Sequence, residues 1–245
     1  MTELEDRVLA HVGLYQISFA QVIEQRFLNN EPCGHLMNRL AEQHRVRVRK
    51  GLPGGCPKYY QLTRAELNRR GLPDWRSKRP KSQAFPTAVS ILWFCNMLDR
   101  ERHLLEAETT QRLLPKGLPD GTHCIERSDA GHCLYRIRFT TPEADPNNQC
   151  LMRSLRKRVS HAFTFPGLRP WVSSGRYAFA ILTECDNHAQ SIRDKIAEDE
   201  LLSSIGTVVV EKTPGLHTLK DRLSAQAAGA SPTPRKLQSS FDWSD

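Results

Sequence analysis

The strongest chemical signal in the sequence is an alternating Arg-Val-Arg-Val-Arg run over residues 45–49. Successive side chains of a β-strand point to opposite faces, so this pattern predicts a strand with its arginines on one face and its valines on the other. Arginines that share a face can contact phosphate groups together. Residues 45–81 hold twelve basic and two acidic residues, an excess typical of a surface that binds a polyanion. A solvated basic face that aids solubility is the alternative interpretation.

Three short helices must position this run. The spacing of apolar residues predicts helices over 4–12, ended by Gly13, and over 19–27, capped by Ser18. A third helix, with buried Leu36, Met37 and Leu40, is expected to end near residue 43. Its other face is expected to be exposed and polar, with His35, Asn38, Arg39, Glu42 and Gln43.

The chain then returns as a second strand over 58–62, after a glycine-rich turn at 51–55, and Thr63 caps a short helix over 64–70. Three helices followed by a two-stranded wing are the arrangement of winged-helix domains. A helix about 10–12 Å across fills the major groove of DNA, while a wing lays arginines against the backbone. The sequence therefore predicts binding of double-stranded DNA. A winged helix used for protein contact is the alternative.

The predicted DNA-binding residues divide between the third helix and the wing. We expect His35, Asn38 and Arg39 to lie near bases. The residues expected on the phosphate backbone are Arg45, Arg47, Arg49, Lys50 and Lys58. Gln43 and Arg64 complete the predicted set.

The second half of the sequence alternates between helices and strands. A strongly apolar helix is predicted over 87–102, as a core or dimer helix, and a second helical stretch over 106–114. A hairpin, then helix, strand, helix and strand, and a last helix follow, over 122–127, 133–139, 146–163, 177–183, 186–198, 206–211 and 216–223. This alternation favours a small α/β domain, so the predicted fold class is α+β, a winged helix-turn-helix plus an α/β domain.

The 245-residue chain has a net charge of +8, most of it in its first third. We divide it into four parts. The divisions are a winged-helix domain over 1–72, a basic linker over 73–86, an α/β assembly domain over 87–224, and a disordered tail over 225–245 that is rich in Ala, Ser and Pro.

The predicted second strand ends in Tyr-Tyr-Gln-Leu-Thr at residues 59–63. With the α/β domain that follows, it resembles the replication-relaxation family of plasmid and mobile-element proteins. In that family a strand ending Tyr-x-Leu-Thr leads into a helix, and a Pro-Asp element precedes strands that resemble the restriction-endonuclease core. Here Pro119-Asp120 lies just before the predicted hairpin. The resemblance covers about residues 5–212 and implies DNA binding in plasmid replication, transfer or regulation.

The second strand of that hairpin departs from the nuclease pattern. A nuclease of this core needs an Asp, then Glu-x-Lys on the neighbouring strand, to hold Mg²⁺ and orient a water. Arg136 and Arg138 stand where the carboxylate and the lysine are expected, and guanidinium groups repel a divalent cation. The resemblance therefore implies an inactive core, kept as a scaffold for dimerisation or phosphate contact. A Mg²⁺-dependent nuclease that uses Asp120 is the alternative.

Two His-Cys pairs, at 123–124 and 132–133, carry ligands that Zn²⁺ prefers. Neighbouring residues on a strand face opposite sides, so the sequence favours two ordinary cross-strand pairs over a zinc site. A carboxylate cluster of Asp120, Glu126 and Glu184 is a further candidate, with solvated carboxylates as the alternative. We predict no catalytic residue, no metal and no cofactor.

Seven scattered cysteines without a CxxC pair favour reduced thiols, and the acidic N-terminus lacks a signal-peptide core. Because no apolar run approaches the ~18 residues of a membrane span, a cytoplasmic location without membrane contact is expected.

The predicted function is sequence-specific binding of double-stranded DNA without catalysis. The protein would act as a transcriptional regulator or as an accessory factor in plasmid or mobile-element replication or conjugative transfer. A homodimer is expected because palindromic sites pair with two-fold proteins, and a relaxase or replication protein is a further expected partner. A protein-interaction adaptor remains as the alternative outside DNA binding.

Overall fold

The computed structural model describes residues 2–50, 57–81, 83–98, 100–106, 110–111, 114, 117–128, 131–205 and 208–229. The chain divides into two compact units, the first formed by 1–80 together with 216–245 and the second by 81–215. Helices accompany a two-stranded antiparallel sheet in the first unit and a five-stranded mixed sheet in the second. The predicted α+β class is confirmed.

Three helices open the first unit: α1 (Glu3–Tyr15), α2 (Ala20–Phe27) and α3 (Gly34–Glu42). Thr2 caps α1, with its hydroxyl accepting from the backbone of Glu5. The apolar faces of the helices share one core with residues of the following hairpin. The three predicted helices are therefore present, and their observed ends lie within three residues of the predicted ends.

Helix α1 continues past Gly13, where the sequence predicts its end. A Cβ at this buried position would lie 2.8 Å from Leu72 Cδ1 and 3.0 Å from Leu62 Cδ1. Glycine therefore serves close packing here rather than helix termination.

The hairpin pairs β1 (Val46–Arg49) with β2 (Tyr59–Leu62) in antiparallel register, with Val46 opposite Leu62. The turn predicted at 51–55 lies outside the described residues. Both predicted strands are present, each one residue shorter at its start.

Ser18 adds a third, single-residue strand position to this sheet. Its N–H donates to the Tyr60 carbonyl at 3.0 Å, and the Tyr60 N–H donates back at 2.8 Å. The residue that caps α2 is Phe19, without a side-chain bond, so the predicted cap at Ser18 is wrong. The Ser18 hydroxyl instead lies 3.0 Å from Nε2 of the buried His11.

Helix α4 (Arg64–Arg69) places a buried carboxylate, Glu66, behind the hairpin. Arg45 donates to both carboxylate oxygens, from Nε at 2.9 Å and Nη2 at 2.8 Å. Arg69 and Arg70 add bonds of 2.6 and 2.8 Å. Burial raises the pKa of the Glu66 carboxyl, but the bonds from Arg45 and Arg70 outweigh it and hold the pKa below its ordinary value.

Residues 73–80, here called the strap, contain a 3₁₀ turn over Asp74–Ser77 and belong to the first unit. The buried Gln61 of β2 donates to the Arg76 and Lys78 carbonyls at 2.7 and 2.8 Å. Arg76 donates to the Gly13 carbonyl at 2.7 Å. Much of the predicted linker is therefore packed structure.

The second unit is built on a sheet with strand order β3-β4-β5-β6-β7. Its strands are β3 (Glu101–Leu104), β4 (Thr122–Ser128), β5 (Gly131–Phe139), β6 (Tyr177–Thr183) and β7 (Val208–Lys212). The β3-β4 and β4-β5 pairs are antiparallel, whereas β5-β6 and β6-β7 are parallel. The alternation predicted for this half therefore forms one mixed sheet.

Strand β3 replaces the end of a helix that the sequence predicts to run to residue 102. Helix α5 (Ala84–Asn96) ends earlier. The side chain of Arg102 is 1% exposed and donates to Glu126 Oε2 at 2.7 Å across the β3-β4 pair. Residues 99–102 carry no apolar side chain, so apolar periodicity gives no signal for this strand, which depends on pairing with β4.

Helices cover both faces of this sheet. Helix α5 lies on one face, where Phe94 packs edge-on against Tyr135 of β5. Four helices that follow β5 in the chain pack against the sheet and contribute to the main core of this unit. They are α6 (Gln149–Thr164), α7 (Arg169–Ser173), α8 (Asp186–Ala197) and α9 (Glu200–Ile205). The helix predicted over 106–114 lies largely outside the described residues.

The last helix, α10 (Leu219–Gly229), contacts α2 in the first unit and buries Leu219 and Leu223. This differs from the prediction, which assigns residues through 224 to the second domain and expects disorder from 225. Residues 230–245 lie outside the described part of the chain. Every helix among the described residues is too short or too polar to span a membrane.

We predict that Glu66→Gln lowers the free energy of unfolding by about 3–5 kcal/mol, because it leaves Arg45 buried without a counter-charge. Since the folded pKa of Glu66 is lowered, the wild-type advantage is present above the ordinary value of 4.5 and is lost as pH falls through the folded pKa. Urea denaturation at several pH values measures both effects.

The matched control is Glu42→Gln on the exposed face of α3, which should change the unfolding free energy by less than about 0.5 kcal/mol. Equal effects of the two variants would contradict a stabilising role for the Glu66 carboxylate.

Candidate nucleic-acid interface

Helix α3 presents the polar face that the sequence predicts. Leu36, Met37 and Leu40 are buried in the core of the first unit. The opposite face is exposed and carries His35, Asn38, Arg39, Glu42 and Gln43. These short and medium polar side chains, projecting from a helix, are of the kind that reads base edges in the major groove.

Arg39, one of the predicted base-contacting residues, forms an ion pair within the protein. Its Nε donates to Glu5 Oε1 at 2.8 Å, although its side chain is 55% exposed. Glu5 itself is almost fully buried at the start of α1. Arg39 therefore ties α3 to α1, and contact with a base would compete with this ion pair.

Arg45 does not reach the surface, which corrects its predicted place on the phosphate backbone. It is 8% exposed and forms the two-bond contact with Glu66 described above. A guanidinium held in this way cannot contact phosphate without breaking a buried ion pair. The pKa of Arg45 is raised, chiefly by its hydrogen bond to Glu66.

Arg49 is held against the strap. Its Nε donates to Gln61 Oε1 and its Nη2 to the Ser77 carbonyl, both at 3.2 Å. The strand register confirms that Arg47 and Arg49 share a face. That face is partly occupied by residues 76–78, so the prediction that all three arginines meet phosphates together is wrong.

The remaining cations of the hairpin project into solvent. Arg47, Lys50 and Lys58 are exposed, and none forms an ion pair with a residue in the described ranges. Lys50 directly follows β1 and Lys58 directly precedes β2. The hairpin thus offers free positive charge at its distal end and at Arg47.

A concavity of about 410 Å³ joins Arg47 to the end of α3 and the start of α4. It is lined by Ala41, His44, Val46, Arg47, Thr63, Arg64 and Ala65. Arg64 is 72% exposed and pairs with Asp74 Oδ2 at the surface, a type of ion pair that is weak in water. Arg47 and Arg64 therefore line one surface next to the polar helix.

In the second unit, Arg136 of β5 lies beside Asp120. The Asp120 carbonyl accepts a hydrogen bond from Arg136 Nη2, and the residue is exposed. Arg138, two positions along the same strand, donates to Ser154 Oγ at 2.6 Å. This positive charge opposes Mg²⁺ binding at Asp120.

Glu126 is not part of a carboxylate cluster. Arg102 and Arg100 donate to its two oxygens at 2.7 and 3.2 Å. Across the described residues, no group of three or more His, Cys, Asp or Glu side chains is placed to hold a metal ion. The candidate cluster with Asp120 and Glu184 is therefore not formed among the described residues.

The two His-Cys pairs do not face each other. In the β4-β5 register His123 lies opposite Arg136, and Glu126 lies opposite Cys133. The predicted ordinary pairing of the two motifs across the strands is therefore wrong, and the register does not place one motif opposite the other as a zinc site would need. A hairpin register depends on the turn as well as on the strand sequences.

Sequence reasoning missed Glu66, which decides which arginine of the hairpin is buried. One signal was available, since Glu66 and Asp74 are the two acidic residues of the basic segment 45–81. An isolated acid among many arginines is a candidate buried partner.

Comparison of the chain with models of protein families, with curated proteins and with solved structures finds no match.

We predict that Arg49→Ala lowers the unfolding free energy by about 1 kcal/mol, because it removes bonds to Gln61 and to the strap. Arg47→Ala should stay within about 0.5 kcal/mol of wild type, since Arg47 is exposed. Urea denaturation compares the variants, and amide hydrogen exchange should rise at residues 76–79 in Arg49→Ala alone. The reverse order of stabilities would mean that the strap does not hold Arg49.

Proposed function

We propose that the first unit is a winged-helix domain that binds double-stranded DNA. The observation that carries this proposal is the exposed polar face of α3 next to exposed cations of the hairpin and α4 around one concavity. The order of the elements supports it. Ser18, between α1 and α2, pairs with Tyr60 of the hairpin, and the hairpin itself follows α3. A helix with a basic two-stranded ribbon beside it fits the major groove and the adjacent backbone.

The structure-based assignment of contacts is narrower than the sequence prediction. Arg47, Lys50, Lys58 and Arg64 would contact phosphates, and His35, Asn38 and Gln43 would contact bases. Arg45 is removed from the interface because it is buried, and Arg49 because it holds the strap. The phosphate contacts would supply most of the affinity, and the helix would supply the sequence preference.

The broader role is proposed from the same features. We propose a transcriptional regulator or an accessory factor in plasmid replication or transfer, acting as a homodimer on paired half-sites and without catalysis. If the protein cleaves or nicks supercoiled plasmid in the presence of Mg²⁺, and Asp120→Ala abolishes this activity, the proposal that the protein acts without catalysis is overturned.

The double variant Arg47→Gln/Lys58→Gln is predicted to weaken binding to all duplex sequences alike and to reduce the slope of log K against log salt by about two. Each substitution removes one exposed cation that would release a counterion when it meets a phosphate. Fluorescence anisotropy with labelled duplexes at several salt concentrations measures both quantities.

The matched control is Lys220→Gln/Arg222→Gln, which removes two exposed cations from α10 in the same unit. Its salt slope should equal that of wild type. If the two double variants behave alike, the hairpin is not the phosphate-contacting surface; no duplex binding even at low salt would favour a protein-interaction adaptor.

Asn38→Ala should remove sequence preference while leaving low-salt binding to random duplex within about twofold of wild type. Asn38 is exposed on α3 and carries the donor–acceptor pair that recognises adenine. Selection from a random duplex library, followed by sequencing, compares enrichment by wild type and variant. Unchanged enrichment would place base recognition elsewhere.

A further inference from the structure

One face of the large sheet gathers arginines from separate elements. Arg136 and Arg138 lie two positions apart on β5, so they point to the same face. His123 on β4 lies directly opposite Arg136. Helix α6 adds Arg158, one turn after the Ser154 hydroxyl that accepts a bond from Arg138 at 2.6 Å.

These arginines lack the negative partners that buried arginines of this protein have elsewhere. Arg45 pairs with Glu66, and Arg102 pairs with Glu126. By contrast, Arg136, Arg138 and Arg158 form no ion pair with any carboxylate in the described ranges.

Several polar atoms around Arg136 are buried and unsatisfied. Arg136 Nε, His123 Nε2 and the Tyr177 hydroxyl have no hydrogen-bond partner among the described residues. Their residues are 7%, 4% and 2% exposed. Buried polar atoms without partners are costly, and such a group on facing strands indicates a place for a missing polar ligand.

The loop before β4 packs closely against this guanidinium. Gly121 has a φ of +140°, and a Cβ there would lie 3.1 Å from Arg136 Nε. The neighbouring Asp120 presents its carbonyl to Arg136. Glycine therefore permits the loop before β4 to approach the arginine closely.

The positive charge of these arginines lowers the pKa values of neighbouring basic groups. Burial, and then the charges of Arg136 and Arg138, lower the pKa of Arg158. Burial together with the nearby guanidinium groups lowers the pKa of His123 to about 4. The protein thus holds concentrated positive charge in a half-buried place.

We propose that Arg136, Arg138 and Arg158 form a binding site for a phosphate group. Guanidinium forks match phosphate oxygens in geometry and charge, and a phosphate would supply the negative charge that the described protein groups do not. The phosphate would come from a free phosphate or monoester, or from a phosphodiester of nucleic acid. These residues belong to the second unit, and the inference does not rest on the DNA interface proposed for the first unit.

The test compares the full chain with Arg158→Ala and with the matched control Arg153→Ala, which removes an exposed arginine from the same helix. Thermal unfolding is followed with inorganic phosphate and, separately, with the dinucleotide TpT, each against chloride at equal ionic strength. Isothermal titration calorimetry gives the affinities. We expect Arg158→Ala to lose the ligand-induced rise in Tm and to bind at least about tenfold more weakly, while Arg153→Ala keeps both.

Without ligand, Arg158→Ala should be as stable as wild type or more stable, because it removes charge repulsion; a merely structural arginine would give the opposite result. If Arg158→Ala does not fold, Arg138→Gln serves in its place. Binding of inorganic phosphate alone identifies a free phosphate or monoester, and binding of TpT identifies a phosphodiester. No response beyond chloride to either ligand, or equal responses of Arg158→Ala and Arg153→Ala, overturns the proposal.

Discussion

The buried carboxylate of Glu66 is the contact on which the surface of the first unit depends. It binds Arg45 from the hairpin and Arg69 and Arg70 from α4 and its end. Arg70 also pairs with Asp6 of α1, so one carboxylate joins three elements. Because a buried charge without its partner is strongly destabilising, Arg45 cannot leave. Arg45 lies directly before β1, so this ion pair holds the start of the strand in place, whereas Arg47 within the strand is exposed.

The arginines of the hairpin region differ in their environments: some form contacts within the fold, and others are exposed to solvent. Arg45 neutralises a buried acid, Arg49 fastens the strap, and Arg47 stays in solvent. A polyanion can use only the last kind, since the first two would have to give up contacts within the fold. The local net charge of the segment therefore overstates the charge that faces a ligand, and the exposed cations are the better guide to affinity and to its salt dependence.

Periodicity predicted most helices and strands, and the buried face of α3 follows the spacing of its apolar residues. In β1, however, Val48 is 47% exposed although it shares a face with the buried Val46. Periodicity could not predict which side chains on a face are covered by other parts of the chain. The alternating run gave Arg47 and Arg49 one face, but a period of two does not say that residues 76–78 lie over that face. Strand β3 and the packing of α10 against α2 also depend on contacts between residues distant in sequence. The polar face of α3 was predictable; the partners of Glu66, Glu126 and Arg136 were not.

The buried arginines of this protein differ in whether a carboxylate balances their charge. Arg45 and Arg102 are each matched by a glutamate, so their burial is compensated inside the chain. Arg136 is equally inaccessible, yet it has a carbonyl as partner and two further guanidinium groups as electrostatic neighbours. Such repulsion opposes folding, whereas an anion that binds the folded state alone stabilises it in proportion to the logarithm of its concentration over Kd. The uncompensated cluster thus fits a fold whose stability is completed by an anionic ligand.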